Sequence, residues 1–191
     1  MKTGLFFGSF NPVHIGHMVI AQYILEFSDL DEIWFVVSPH NPFKEKHTLL
    51  DDRQRLHMVH LAIGENFKMR ASDFEFNLPQ PSYTINTLTH LFEKYPEREF
   101  ALTMGADNLA GFHKWKNHER ILELCDLYIY PRPNTKASQF DAHKKVHHID
   151  APVMELSSTR IREAVKNKKD VSFMLPPNVW EYIEQCGFYT K

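Results

Sequence analysis

Two histidines, His14 and His17, lie three residues apart between a short apolar run and a segment with helical periodicity. Imidazole side chains at this spacing can ligate a metal, donate hydrogen bonds to a phosphate or pack as ordinary core residues. Zinc normally takes three or four protein ligands, and the neighbouring sequence offers no third one. A phosphate-binding role for the two histidines is favoured, because the backbone N–H groups at the start of a helix also attract anions. A structural role for a half-buried His17 is the main alternative.

Two glycines flank this strand-turn-helix pattern. Gly8 permits a sharp exit from the preceding strand and the close approach of a ligand, and Gly16 lets the backbone pack closely at the start of the helix. The three-glycine fingerprint of dinucleotide-binding proteins and the lysine-bearing P-loop are both absent from the sequence. The segment therefore predicts a phosphate site of a different kind.

A second strand-turn-helix pattern lies near the other end of the chain, in the sequence SSTRIR from Ser157 to Arg162. Its hydroxyl groups suit an N-cap, so an ordinary capped helix is the simple interpretation. However, Arg160 and Arg162 place two cations in the first helical turn, where the helix dipole disfavours them. A polyphosphate bound by Ser157, Thr159 and Arg160 would reverse this effect, and the pattern predicts a second anion site.

Short apolar runs rich in aromatic and β-branched residues alternate with longer helix-like segments. This alternation predicts an α/β fold with a doubly wound parallel sheet and helices on both faces, in which ligands bind beyond the carboxyl ends of the strands. The polar segment 132–148 is expected to form a connection or a short edge element. The predicted strands are 3–7, 32–37, 67–71, 99–104, 126–130 and 152–156. The predicted helices are 17–27, 52–63, 84–95, 117–124, 160–168 and 177–185.

The chain has 191 residues, enough for one domain with a continuous core and a cleft. We expect a single domain over residues 1–191, including a helical C-terminal segment from about residue 157. The net charge of −2 gives no field that would attract nucleic acid or a membrane surface. Two cysteines cannot form a disulfide framework, and we find no targeting or membrane-spanning run, so a cytoplasmic location is expected.

The residues from Gly8 to His17 read GxFxPxHxGH, and with SSTRIR they closely resemble the nucleotidyltransferase superfamily that carries the HxGH signature. Within it, the chain is similar over almost its whole length to the bacterial nicotinate-nucleotide adenylyltransferases. Three further segments carry this resemblance: SYTINTL at 82–88, MGADNLAGFHKWKN at 104–117 and YPRP at 130–133. The resemblance implies a Rossmann-like single domain.

The resemblance also implies a reaction, in which ATP and nicotinate mononucleotide give nicotinate adenine dinucleotide and pyrophosphate. Mg²⁺ is expected to accompany ATP, with no metal site formed by the protein, and assembly into a homo-oligomer is left open. The residues implied in catalysis are His14, His17 and Arg160. ATP is expected to contact Gly8, Ser9, Phe10, His14, Gly16, His17, Gly105, Asp107, Ser157, Thr159 and Arg160. The mononucleotide is expected to contact Lys44, Tyr83, Thr84, Asn108 and Trp115.

Several of these residues have a simpler alternative role. Asp107 could hold the ribose hydroxyls or cap the following helix. Tyr83 and Thr84 could bind the nicotinate carboxylate, and Ser82 or Thr84 could cap a helix at the same time. Trp115 stands among polar residues, where its ring could stack on a pyridine or simply anchor a loop. Lys44 lies in a loop that departs from the Pro-Pro-His-Lys of many family members.

Three other functions share part of this pattern. Class I aminoacyl-tRNA synthetases also carry HIGH, but the KMRAS segment at 68–72 lies too near it to be their second signature, and the chain is too short for tRNA-binding domains. The adenylyltransferase acting on phosphopantetheine resembles the chain at both end motifs. A non-catalytic ATP sensor of the same fold is the third alternative, and the joint presence of His14, His17 and Arg160 argues against it.

Overall fold

The computed structural model describes residues 1–39 and 49–190. Over these residues the chain forms a six-stranded sheet in which all neighbouring strands are parallel. The strand order is β3-β2-β1-β4-β5-β6. The strands are β1 (Lys2–Gly8), β2 (Glu32–Val37), β3 (Met69–Ser72), β4 (Glu99–Gly105), β5 (Asp126–Tyr130) and β6 (Val146–His148).

The described α-helices connect these strands and close the chain. They are α1 (Ile15–Phe27), α2 (Asp52–Ile63), α3 (Thr84–Lys94), α4 (Ala106–Ala110), α5 (His118–Leu124), α6 (Ser158–Lys166) and α7 (Pro177–Cys186). Short 3₁₀ turns occupy Phe74–Asn77, Phe112–Lys114 and Ser172–Met174. Helix α7 begins with Pro177, and its C-cap residue Gly187 has a left-handed φ of 64°.

Helices cover both faces of the sheet, and each strand contributes side chains to both, because successive strand residues point to opposite sides. In β1, Leu5 packs into a core with α3 and α5, while Phe6 packs into a second core with α1, α2, α6 and α7. Trp34 and Phe35 divide in the same way along β2. The predicted doubly wound α/β fold is confirmed.

The order of the strands determines where a ligand can bind. From β1 the chain proceeds outward through β2 and β3, and then returns to the other side of β1 to form β4, β5 and β6. Connections on the two sides of β1 and β4 thus lead away from each other and leave a crevice at the carboxyl ends of these strands. Both sequence signatures lie at this edge.

One predicted strand is wrong. Residues 152–156 form no strand, and the sixth strand is Val146–His148, within the segment predicted to be a connection or a short edge element. Pro152 has no N–H to donate to a neighbouring strand, Val153 is 54% exposed, and Met154 packs against the core without any strand pairing. Smaller differences of one or two residues occur at helix ends, as at α1, which begins at Ile15.

Candidate active site

Two cavities open at the carboxyl ends of β1, β4 and β5. We call the one that contains both histidines the histidine cavity; it has a volume of about 450 Å³. The one that contains Trp115, the tryptophan cavity, has a volume of about 340 Å³. Both are lined by Phe6, Phe7, Gly8 and Tyr130. The two cavities therefore meet at the end of β1, where a group bound in one can reach a group bound in the other.

The two histidines of the signature lie at the start of α1. His14 is the N-cap residue and His17 is in the first turn, with their rings stacked at a centroid distance of 3.7 Å. The backbone N–H of His14 donates to Nδ1 of His17 at 3.2 Å. Because Nδ1 accepts this bond, the neutral His17 ring carries its proton on Nε2, which makes Nε2–H the donor toward a ligand.

His14 is held as a neutral imidazole. Its side chain is 5% exposed, and this burial, together with the positive charge of Arg132, lowers its pKa to about 4. A Cβ atom on Gly16 would come within 3.1 Å of the His14 ring, so the glycine gives the ring its place against the helix. Nδ1 of His14 has no hydrogen-bond partner among residues 1–39 and 49–190.

The turn after β1 packs aromatic rings behind the histidines. Phe10 has a φ of 45°, a left-handed conformation uncommon for an aromatic residue, and its ring lies 5.1 Å from that of His17. A Cβ atom on Gly8 would be 2.7 Å from the Phe10 ring. Ser9 lines the histidine cavity, and its buried hydroxyl has no hydrogen-bond partner in the described part of the chain. Ser9 thus offers an unused donor to a ligand.

The start of α6 is bonded to this turn. Ser158 Oγ donates to the carbonyl of Pro12 at 2.9 Å, and Arg162 Nη1 donates to the carbonyl of Asn11 at 2.8 Å. Ser157 is the N-cap and accepts the backbone N–H of Arg160 at 3.3 Å, so the simple capping role exists. Ser157 also lines the histidine cavity, which brings the two sequence signatures into one site.

The two arginines of α6 take different positions. Arg162 lines the histidine cavity, whereas Arg160 is exposed and is not among the residues that line it. Residues two apart on a helix point about 200° from each other, so only one of them can face the cavity. Thr159 lines the cavity beside Arg162. Arg162 is thus the α6 arginine that lines this cavity, and the role of Arg160 stays a prediction.

Arg132, which follows β5, is a cation of the histidine cavity that we did not predict. Its Nε lies 3.6 Å from Oδ1 of Asp107. A Cβ atom on Gly105 would be 2.9 Å from Cγ of Arg132, so the glycine permits this approach. Gly16, Gly105 and Asp107 do not themselves line the cavity. The only sequence signal was a cation placed directly after a strand, in YPRP.

Four of the residues predicted for the second substrate line the tryptophan cavity: Tyr83, Thr84, Asn108 and Trp115. Trp115 is half-buried and rests on Phe112, with ring centroids 5.4 Å apart. The N-cap of α3 is Tyr83, and no side chain caps this helix. Thr84 therefore does not cap this helix, which was its alternative role. The predicted Lys44 lies outside the described residues.

Three charged residues of the tryptophan cavity were not predicted. Lys114 and Lys116 line it, and Nζ of Lys116 lies 4.5 Å from the centroid of the Tyr83 ring. Glu75 also lines it, is 2% exposed, and accepts a hydrogen bond from the Thr87 hydroxyl at 2.7 Å. Burial raises the pKa of Glu75, which favours its uncharged form. The two lysines therefore give this cavity a cationic character.

Within residues 1–39 and 49–190, no group of three or more His, Cys, Asp or Glu side chains could hold a metal ion. Among the described residues that line the histidine cavity there is also no carboxylate; the side-chain donors are hydroxyl, imidazole, guanidinium and amide groups. Such donors suit phosphate oxygens rather than a hard cation. In the same part of the chain, no helix is long and apolar enough to cross a membrane.

Comparison with known proteins identifies the family of this chain. The family model described as cytidylyltransferase-like matches residues 5–164. A "Probable nicotinate-nucleotide adenylyltransferase" of Flavobacterium psychrophilum is 57% identical and covers 100% of both chains. A protein of the same description from Bacteroides thetaiotaomicron is 49% identical over 97% of this chain and 92% of its own.

A solved structure shows the same fold at low sequence identity. The nicotinic acid mononucleotide adenylyltransferase of Plasmodium falciparum, complexed with NaAD, aligns with a TM-score of 0.82 and 20% identity, over 99% of this chain and 97% of its own. The full-length similarity at high identity, and the family model that matches most of the chain, establish the family. The chain belongs to the cytidylyltransferase-like family and, within it, to the nicotinate-nucleotide adenylyltransferases.

Proposed function

We propose that the histidine cavity binds ATP, that the tryptophan cavity binds nicotinate mononucleotide, and that AMP is transferred where the cavities meet. The observation that carries this proposal is the shared wall at Gly8 and Tyr130, which joins a site rich in phosphate donors to one with a flat ring and cations. The products would be nicotinate adenine dinucleotide and pyrophosphate. The names of the relatives support this pairing of substrates.

The reaction needs no nucleophile from the protein. An oxygen of the mononucleotide phosphate attacks the α-phosphorus of ATP, the new P–O bond forms, and the bond to the β-phosphate breaks to release pyrophosphate. A phosphate at neutral pH is already ionised, so the enzyme has to align the two groups and stabilise charge. This requirement agrees with a site of imidazole, hydroxyl and guanidinium groups.

The signature histidines would act as uncharged donors. Nε2–H of His17 would donate to an oxygen of the α-phosphate, since its Nδ1 is occupied by the backbone of His14. The positive charge would come from Arg132 and Arg162, both of which line the histidine cavity. Charge-assisted bonds from guanidinium groups to phosphate are strong and geometrically defined.

Hydroxyl groups would complete the phosphate site. Ser9 has an unused buried hydroxyl in the cavity, and Ser157 and Thr159 line it at the start of α6. Arg160 remains a prediction from the resemblance, and its exposed position would suit at most the outer end of a triphosphate. Asp107 stands at the rim in an ion pair with Arg132, where a ribose hydroxyl could reach its second oxygen.

The tryptophan cavity would recognise the nicotinate ring and its charge. Trp115, supported by Phe112, offers an apolar face for stacking on the pyridine. Tyr83 and Thr84 would provide hydrogen bonds to the carboxylate at the start of α3. Lys114 and Lys116 add positive charge, which would stabilise the bound carboxylate of nicotinate more than the uncharged amide of nicotinamide.

Mg²⁺ would enter with ATP, bound by phosphate oxygens and water, and would neutralise part of the triphosphate charge. We further propose that the enzyme works in the cytoplasm, which the free state of Cys125 and Cys186 supports.

Pyrophosphate release tests this function. The protein is incubated with ATP, Mg²⁺ and, in separate reactions, nicotinate mononucleotide, nicotinamide mononucleotide and phosphopantetheine. We expect the fastest release with nicotinate mononucleotide. Faster release with phosphopantetheine would refute the assignment of the tryptophan cavity, because that substrate has no ring for Trp115, and no release with any substrate would favour an ATP sensor.

The role of His17 has its own test. The H17A variant should keep its fold and lose about 100-fold or more in turnover, because one preorganised donor to a charged transition state contributes about this factor. Circular dichroism checks the fold and initial rates check the turnover. Near-normal turnover of folded H17A would remove His17 from the transfer step.

A further inference from the structure

Arg55, in α2, is a fully buried cation that neither signature includes. Its side chain is 1% exposed. All of its described hydrogen bonds go to backbone carbonyls: Nη1 donates to Ser9 at 2.6 Å and to Ser38 at 2.9 Å, Nη2 to Pro39 at 3.3 Å, and Nε to Leu50 at 2.9 Å. No carboxylate is among these partners. Burial of a guanidinium is costly, so its presence here calls for a specific role.

The acceptors of Arg55 belong to segments that border the two cavities. Ser9 follows β1 and lines the histidine cavity. Ser38 follows β2 and lines the tryptophan cavity. A single nitrogen, Nη1, bonds to both carbonyls. The backbone N–H of Ser38 already donates to the carbonyl of Gly8 at 2.9 Å, and Nη1 of Arg55 adds a side-chain link between the two walls just beyond that bond.

We propose that Arg55 is a positioning residue that fixes the two substrate cavities relative to each other. The inference rests on the proposed two-cavity function. Transfer of AMP requires the attacking oxygen to lie close to the α-phosphorus and in line with the departing group, and small displacements of either substrate lower the rate strongly. Arg55 itself lines neither cavity; its side chain acts through the backbone carbonyls of Ser9 and Ser38, which do.

A lysine cannot replace this arrangement. Its ammonium group is a single point with three donors, whereas the planar guanidinium directs donors from three nitrogens toward separate acceptors. The R55K variant keeps the positive charge and loses the fork. The R55K variant therefore distinguishes a role of Arg55 that depends on the geometry of its hydrogen bonds from one that depends only on its charge.

The test compares R55K with R98K. Arg98 is a matched control because it bonds to Thr3 and Glu32 at the opposite, amino-terminal end of the sheet. Initial rates are measured over a range of both substrates and normalised to the folded fraction from circular dichroism. We expect R55K to raise KM for ATP and for nicotinate mononucleotide by about 10-fold and to lower kcat, with both KM values of R98K within about 2-fold of wild type.

A merely structural role predicts a different result. Loss of stability reduces the amount of active protein and lowers the apparent kcat, but leaves both KM values unchanged. Unchanged KM values in folded R55K, or a change for one substrate alone, would overturn the proposal. The wild-type protein is assayed with the same two substrates. If the proposed function itself is wrong, the wild type will be inactive in this assay.

A measurement on the wild type covers the case in which R55K does not fold. The Nε–H of Arg55 is buried and bonded to Leu50, so its ¹⁵N–¹H signal should be resolved and slow to exchange, and it can be assigned through its proximity to Leu50. We expect this signal to shift on saturation with ATP alone and with nicotinate mononucleotide alone. A signal that responds to neither substrate, or to one only, would contradict a link between the cavities.

Discussion

Acid should destabilise the protein through His14 specifically. The ring is buried and uncharged in the folded state, with its pKa lowered from 6.5 to about 4, while in the unfolded chain it titrates at its ordinary value. Between these two values the unfolded chain binds a proton that the folded one does not. The free energy of unfolding therefore falls as the pH decreases through this window, and above pH 6.5 the contribution of His14 is constant.

The size of the effect follows from the shift. A difference of about 2.5 pKa units corresponds to about 3 kcal/mol, which is fully lost below about pH 4. Because His14 is 5% exposed, solvent screening should not reduce this figure greatly. A natural domain has about 5–15 kcal/mol of stability in all, so the titration of this single imidazole would remove a large fraction of it.

Urea unfolding of the wild type and of H14Q, repeated from about pH 7.5 to about pH 4.5, measures this effect. Other groups titrate in both proteins, so the difference between the two pH profiles isolates His14. We expect the wild type to lose about 2–3 kcal/mol more than H14Q over this range. Parallel profiles would refute the view that His14 is held neutral in the folded protein.

Three further predictions address the site directly. R162M should lose at least about 10-fold more in kcat/KM for ATP than R160M, because only Arg162 lines the histidine cavity; equal losses would contradict this. W115A should raise KM for nicotinate mononucleotide about 10-fold with little change for ATP, measured as separate saturation curves, since one stacked ring contributes about 1 kcal/mol or more. G16A should lower kcat while the melting temperature changes little, because the added methyl would press on the His14 ring at 3.1 Å; normal kcat would show that the ring can move freely.

The sequence predicts those parts of the fold that depend on local pattern. The alternation of apolar runs and helical segments identifies the doubly wound sheet, and Ser157 lines the same cavity as His14 although the run before it forms no strand. The run at 152–156 was misread because apolar content alone does not reveal whether a neighbouring strand is available. Strand pairing is a tertiary property, and β6 formed from a more polar segment instead.

The charged residues of the site were harder to predict. The choice between Arg160 and Arg162 depends on the rotation of α6 about its axis, which is set by contacts with the turn at Asn11. Arg132 follows a strand in a segment that looks like an ordinary loop. Arg55 lies in a helix with no distinguishing motif, and its role is visible only once the carbonyls around it are placed in space.

The bonds from α6 to the turn after β1 have a consequence for synthesis of the chain. Ser158 and Pro12 are separated by 146 residues, and Arg162 and Asn11 by 151. Tyr189 also reaches Asn11, across 178 residues, with a hydroxyl bond of 2.9 Å. The first signature leaves the ribosome early, yet its turn obtains these partners only when the last part of the chain has emerged. Contacts of such long range form late in folding, so a nascent chain should become able to retain ATP only after residues 158–189 have emerged.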